Sequence, residues 1–136
     1  MQKHNKIPFL SSLLKLVCIL ALSFGLLNAQ AIDLKGDKNG YQAHFYSKKS
    51  LVVGDNYFFV TLTKDGKELT NAKVKAKFFM PEMPGMPYME YVGKAKLIDG
   101  KYKMLINLSM SGTWQFHLMF KTADGKVHKI RSSVNL

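Results

Sequence analysis

Residues 72–80 read A-K-V-K-A-K-F-F-M. Ala72, Val74, Ala76, Phe78 and Met80 fall on one side of this stretch, and Lys73, Lys75 and Lys77 fall on the other. Strict alternation of this kind fits a strand with one face buried and one face in water, and it does not fit the 3.6-residue period of a helix. Working outward from it, the same period recurs. Residues 56–63, N-Y-F-F-V-T-L-T, place Phe58, Val60 and Leu62 together. Residues 101–108 align Tyr102, Met104, Ile106 and Leu108, and residues 113–121 align Trp114, Phe116, Leu118 and Phe120.

The punctuation between these runs agrees. Asp65-Gly66, Asp99-Gly100 and Asp124-Gly125 each precede a lysine and each lie between strand-like runs. Asp-Gly supplies the positive φ angles of tight hairpins. The pattern predicts strands over 41–47, 56–63, 72–80, 91–98, 101–108, 113–121 and 126–135. About seven antiparallel strands of this length imply an all-β, immunoglobulin-like antiparallel sandwich. No linker, low-complexity tract or repeat divides it.

Composition narrows the class. The chain has 136 residues, 20 Lys+Arg against 9 Asp+Glu, a net charge of +11 and a single cysteine. One cysteine permits no intramolecular disulfide and no thiolate metal cluster. A hydrophobic fraction of 47% is too high for a disordered chain, so the core must form by packing alone.

The N-terminus reads as a leader. Lys3, His4 and Lys6 precede an apolar run from Leu13 to Leu27, which ends in Asn28-Ala29-Gln30-Ala31. A basic start, a short apolar segment and an A-x-A site describe a cleaved export signal. The unbroken apolar part, Leu16 to Leu22, is shorter than the roughly 20 residues of a membrane span. The expectation is a signal peptide over 1–31, a mature domain over 32–136, a periplasmic location and no stable membrane insertion after cleavage. Loss of Lys3, Lys6 and Lys15 leaves 17 basic against 9 acidic residues, a net charge of +8, and Cys18 leaves with them. Lys15, three residues before Cys18, argues against lipidation.

One segment breaks the strand pattern. Residues 80–89 read M-P-E-M-P-G-M-P-Y-M, so Met80, Met83, Met86 and Met89 recur every third position. Pro81, Pro84 and Pro87 each push the preceding methionine towards extended backbone. A polyproline II segment is therefore expected, with the four thioethers on one edge. Its rise of about 3.1 Å per residue would hold neighbouring methionines roughly 9 Å apart, too far to share one ion. Gly85 is the expected bend that would let them converge. Thioethers are soft, neutral ligands suited to Cu(I), and they lose no proton on binding. His117 and Met119, two residues apart on the polar face of their strand, are further candidate ligands; His44 and His128 carry no spacing argument. Methionines also fill core gaps or form adaptable contact surfaces, so metal site, protein-contact surface and plain packing all stay open for the loop. Met104 belongs to the core with Tyr102 and Ile106, and Met110 is expected in a turn.

Other functions find less support. There is no H-E-x-x-H, no Gly-rich phosphate loop and no G-x-S-x-G. No pair of carboxylates has a spacing that argues for acid–base work, so no enzyme is expected. Lys73, Lys75 and Lys77 fit a solvated sheet face, aromatics do not interleave with the basic residues as a single-strand binder needs, and export argues against nucleic acid, so no nucleic acid partner is expected. The charge can still draw an anionic surface or an acidic partner.

The leader, the strand pattern and the M-P-E-M-P-G-M-P-Y-M segment together resemble the YtkA-like family of small exported domains, and most of all its copper-resistance members. The resemblance implies an immunoglobulin-like fold and a role in periplasmic copper tolerance beside an efflux system. It implies copper as cargo and a copper efflux adaptor or transporter as partner. Related domains also occur in oxidase assembly, which implies the alternative of a non-metal adaptor using the Met-Pro loop as a contact surface. Copper-resistance sandwiches that take Cu(II) often begin with histidine. A mature chain beginning Ile32-Asp33 does not, so that site is not carried over.

Overall fold

Phe45, Phe58, Phe78 and Phe116 meet at the centre of the domain. Phe45 stacks on Phe58 with ring centroids 5.0 Å apart and lies 4.8 Å from Phe116, while Phe78 lies 5.3 Å from Phe58 and 4.9 Å from Phe116. Each contact adds about 0.5–1.5 kcal/mol beyond the burial of its area. These rings come from two sheets, and their contacts clamp the sheets face to face.

The computed structural model describes residues 31–136; the leader expected over 1–31 lies, but for Ala31, outside the described residues. Ala31–Leu136 form one compact unit. Its strands are β1 (Asp33–Lys38), β2 (Tyr41–Tyr46), β3 (Gly54–Lys64), β4 (Lys67–Glu68), β5 (Lys73–Met80), β6 (Met89–Lys94), β7 (Lys96–Ile98), β8 (Lys101–Leu108), β9 (Thr113–Lys121) and β10 (Val127–Asn135). One sheet runs β1-β2-β3-β8-β7 with β4 paired to β3, and the other runs β10-β9-β5-β6. Every pairing between these strands is antiparallel. The alternating apolar positions read from sequence are the buried ones, from Phe58, Val60 and Leu62 on β3 to Trp114, Phe116, Leu118 and Phe120 on β9. The expected all-β sandwich is therefore the fold observed.

The strand list differs from expectation in three places. β1, D-L-K-G-D-K, has no apolar alternation; it forms because Asn39 and Gly40, at φ 53° and 82°, make a tight hairpin onto β2. β4 is two residues after Asp65-Gly66. The expected strand 91–98 is two strands in different sheets. Lys94 pairs with Lys75 in one sheet and Lys96 with Lys103 in the other, and the Ala95 N–H between them donates to the Val74 carbonyl at 2.9 Å. Alternation along a chain carries no sign of such a corner.

The faces also correct one reading. Lysines do interleave with aromatics on the outer face of the first sheet, but across strands. Lys48 lies over Phe59 at 4.5 Å, and Lys103 over Tyr57 at 4.4 Å.

Tyr102 ties down the connection between β4 and β5. Its hydroxyl donates to the Leu69 carbonyl at 2.8 Å and accepts from the Ala72 N–H at 3.1 Å. Burial pushes its pKa up, so it stays a donor.

Gly93 on β6 lies tight against β8 of the facing sheet. A Cβ there would lie 2.3 Å from Ile106 Cδ1 and 2.8 Å from the Leu105 carbonyl oxygen. The Leu105 backbone cannot yield as a side-chain tip can. Gly93→Ala is expected to cost about 1–3 kcal/mol by overpacking, read as a lower urea midpoint; an unchanged midpoint would refute this packing.

Candidate functional site

The M-P-E-M-P-G-M-P-Y-M segment joins β5 to β6 as the tip of a hairpin. Its register is continuous: Lys75 faces Lys94, Phe78 faces Tyr91 and Met80 faces Met89. Beyond Met80, Pro81 and Pro87 have no N–H to give a ladder. The pairing lapses there and resumes once, at Met83 and Met86. The Met83 N–H donates to the Met86 carbonyl at 3.0 Å, and the Met86 N–H donates to the Met83 carbonyl at 2.8 Å. Pro84 and Gly85 lie between them, with Gly85 at φ 80°. Proline followed by a positive-φ glycine is the signature of a type II turn.

The expected polyproline rod is therefore replaced by a hairpin, and the bend at Gly85 is present. The spacing of three takes a different meaning. Each methionine is equidistant with another from the turn, so the four form two cross-strand pairs, Met83 with Met86 and Met80 with Met89. In a pair that exchanges both hydrogen bonds, the Cα atoms lie about 5.5 Å apart and the side chains leave on the same side. That is well inside the roughly 9 Å spacing of a rod.

The two pairs have different surroundings. Met83 is 52% exposed and Met86 is half-buried, at the tip. Met80 is buried in the core. Its methyl packs so close to Gly112 that a Cβ there would lie 2.9 Å from it. Met89 is half-buried against the core, and the Ser109 hydroxyl lies 3.8 Å from its sulfur. Met110 is also half-buried, and its carbonyl accepts from the Trp114 indole at 3.0 Å. The inner end of the hairpin thus rests on the loop between β8 and β9. On the return arm, the Tyr88 hydroxyl donates to Glu90 at 2.8 Å.

His117 and Met119 point from the outer face of β9, opposite the face that buries Met80. Cross-strand neighbours of His117 are Lys77 and Arg131, and those of Met119 are Lys75 and Lys129. Phe79 packs edge-on against His117 at 5.1 Å and stacks on Tyr88 at 6.3 Å, so it stands between His117 and the hairpin arm. His117 has its pKa lowered by partial burial, and further by Lys129, Arg131 and Lys77. It offers a neutral imidazole in a field that repels cations.

The other histidines have structural partners. His44 Nε2 lies 2.6 Å from an Asp33 carboxylate oxygen. His128 is buried, stacked on Phe120 at 4.9 Å; the Asn39 amide lies 2.8 Å from its Nδ1 and the Thr122 hydroxyl 3.2 Å from its Nε2. Among the described residues, no three His, Cys, Asp or Glu side chains gather as a metal site. The pairing of the methionines escaped the sequence reading, although Pro84-Gly85 between two equally spaced methionines was a turn signal that could have revealed it.

The His117 ring is expected to titrate below the ordinary value of about 6.5 in an NMR titration, and replacing Lys129 and Arg131 by Gln should move it up. A midpoint at or above that value in the unmodified protein would contradict the cationic field described here.

A crystal structure of a DUF4426 family protein from Pseudomonas aeruginosa PAO1 is similar, with a TM-score of 0.53 at 10% identity, over 76% of this chain and 94% of that one. At that identity the likeness shows the sandwich fold alone. No curated protein matches the chain. Residues 36–119, which run from β1 through the methionine hairpin to Met119, match the YtkA-like family, and the chain belongs to that family.

Proposed function

We propose that this is a non-enzymatic, exported copper-binding protein of the periplasm. It takes Cu(I) between Met83 and Met86 and buffers it or passes it to a copper efflux adaptor or transporter. The single observation that carries this reading is the cross-strand pairing of Met83 with Met86 at an exposed tip. Two thioethers on flexible side chains, leaving the same side of a fixed backbone pair, can close on one soft ion. The turn holds the pair in place before the metal arrives, which lowers the ordering cost of binding.

Charge supports the same place. Residues 80–90 carry Glu82 and Glu90 and no basic residue, in a mature chain of net charge +8. The hairpin is thus a locally acidic element of a basic protein and is favourable to a monovalent cation. His117 and Met119 sit among cations and are poorly placed to share that ion. The link of the YtkA-like family with exported, copper-related proteins favours copper over other soft metals.

A second reading uses the same tip as a protein-contact surface. Met83 and Tyr88 are 52% and 47% exposed, and methionine and tyrosine are common at adaptable interfaces. An adaptor of efflux or oxidase assembly would use the hairpin so.

Cu(I) competition against a chelator separates the two. Met83→Leu with Met86→Leu keeps the side-chain volume and removes both sulfurs. Affinity should fall at least about tenfold while stability changes by less than about 1.5 kcal/mol. Unchanged Cu(I) affinity in the folded double variant would refute the clamp and leave the contact surface as the reading.

A further inference from the structure

A groove of about 490 Å³ that the methionine hairpin does not use opens at the edge of the sandwich, where the chain crosses at Ala95 from the second sheet to the first. Ala72, Val74, Ala95, Leu97, Tyr102 and Val127 give it apolar walls. Lys73, Lys75, Lys94 and Lys121 stand around it, and no carboxylate lines it. These lysines are neighbours by register: Lys73 faces Lys121, and Lys75 faces Lys94. Each is exposed. Met119 adds a thioether to the wall, and Lys129, beside Met119 on β10, continues the positive charge along the sheet.

Four unpaired cations around an apolar floor form an unusual surface. Like charges on adjacent strands repel one another, so the arrangement is a cost to the isolated domain unless an anion offsets it. The volume lies within the range of small-molecule sites, and such sites are mostly apolar with a few polar groups that fix orientation. A small inorganic anion would use the lysines and leave the apolar walls wet. A neutral hydrocarbon would use the walls and leave the repulsion in place.

We infer that this groove binds a single-chain amphiphilic anion, with its chain along Ala72, Ala95 and Leu97 and its carboxylate or phosphate head among the four lysines. The site is separate from the hairpin and stands or falls independently of copper binding.

The test is titration of the copper-free protein with decanoate below its micelle concentration, followed by calorimetry and by amide chemical shifts. Saturable one-to-one binding is expected, with shifts centred on Lys73–Lys75, Lys94–Leu97 and Lys121. Decanol, with the chain alone, and inorganic phosphate, with the charge alone, should each bind at least about tenfold more weakly. Lys75→Glu with Lys94→Glu should weaken decanoate binding by about tenfold or more with an unchanged melting temperature. If that pair is unstable, Lys73→Gln with Lys121→Gln makes the same test from the other strand pair. The inference is overturned by absence of saturable decanoate binding, by shifts lying elsewhere, by decanol or phosphate binding as well as decanoate, or by equal binding in the lysine variants. Displacement of decanoate by an equimolar acidic peptide would likewise overturn it, in favour of a protein partner.

Discussion

Phe78 is held between Phe58 of the facing sheet and Phe116 of its own, and the site follows from that contact. Burying Phe78 fixes which side of β5 turns inward. By period two, Met80 must then point into the core and Phe79 must point out. The same constraint acts on β9, where Phe116 and Leu118 are buried and His117 is therefore on the outer face. A shift of one residue in either strand would reverse every one of these assignments and expose the phenylalanines. The core thus decides which methionines are filling and which are available.

What lies beyond Met80 is governed by proline. Pro81 and Pro87 remove ladder donors where the hairpin leaves the sheet, and Pro84 with Gly85 closes it. A type II turn twists against the preferred twist of a hairpin, so pairing returns for one bridge only. The result is a short, stiff tip with two thioethers opposed. It is the acidic end of a basic domain, and the lysine-walled groove at the edge where the two sheets meet is its electrostatic opposite. A cation and an anion would each find a distinct place on the same small protein.

Much of this was legible in the sequence. The alternation at 72–80, 101–108 and 113–121 gave the buried faces residue by residue, because a half-buried strand writes its orientation into hydrophobicity. The methionine segment stood out as a break in the strand pattern, and Gly85 as its bend. Three things were hidden. β1 is polar on both sides, so its presence depended on the Asn39-Gly40 turn and on a partner strand. The corner at Ala95 leaves the alternation intact while the strand changes sheets. The segment's period of three fits a three-fold helix as well as a symmetric hairpin, and only pairing across the turn distinguishes them. His117 and Met119 shared a face as expected, but a single strand could not show that Lys75, Lys77, Lys129 and Arg131 would be their neighbours.

The central claim is that Met83 and Met86 act together as the Cu(I) ligands. Its most direct test is methyl NMR of protein labelled at the methionine methyl carbons, followed during anaerobic addition of one equivalent of Cu(I). The account predicts that the Met83 and Met86 signals move together and saturate at one equivalent, while Met104 and Met119 stay in place. Movement of Met119 with the His117 ring signals, and none at Met83 and Met86, would contradict it.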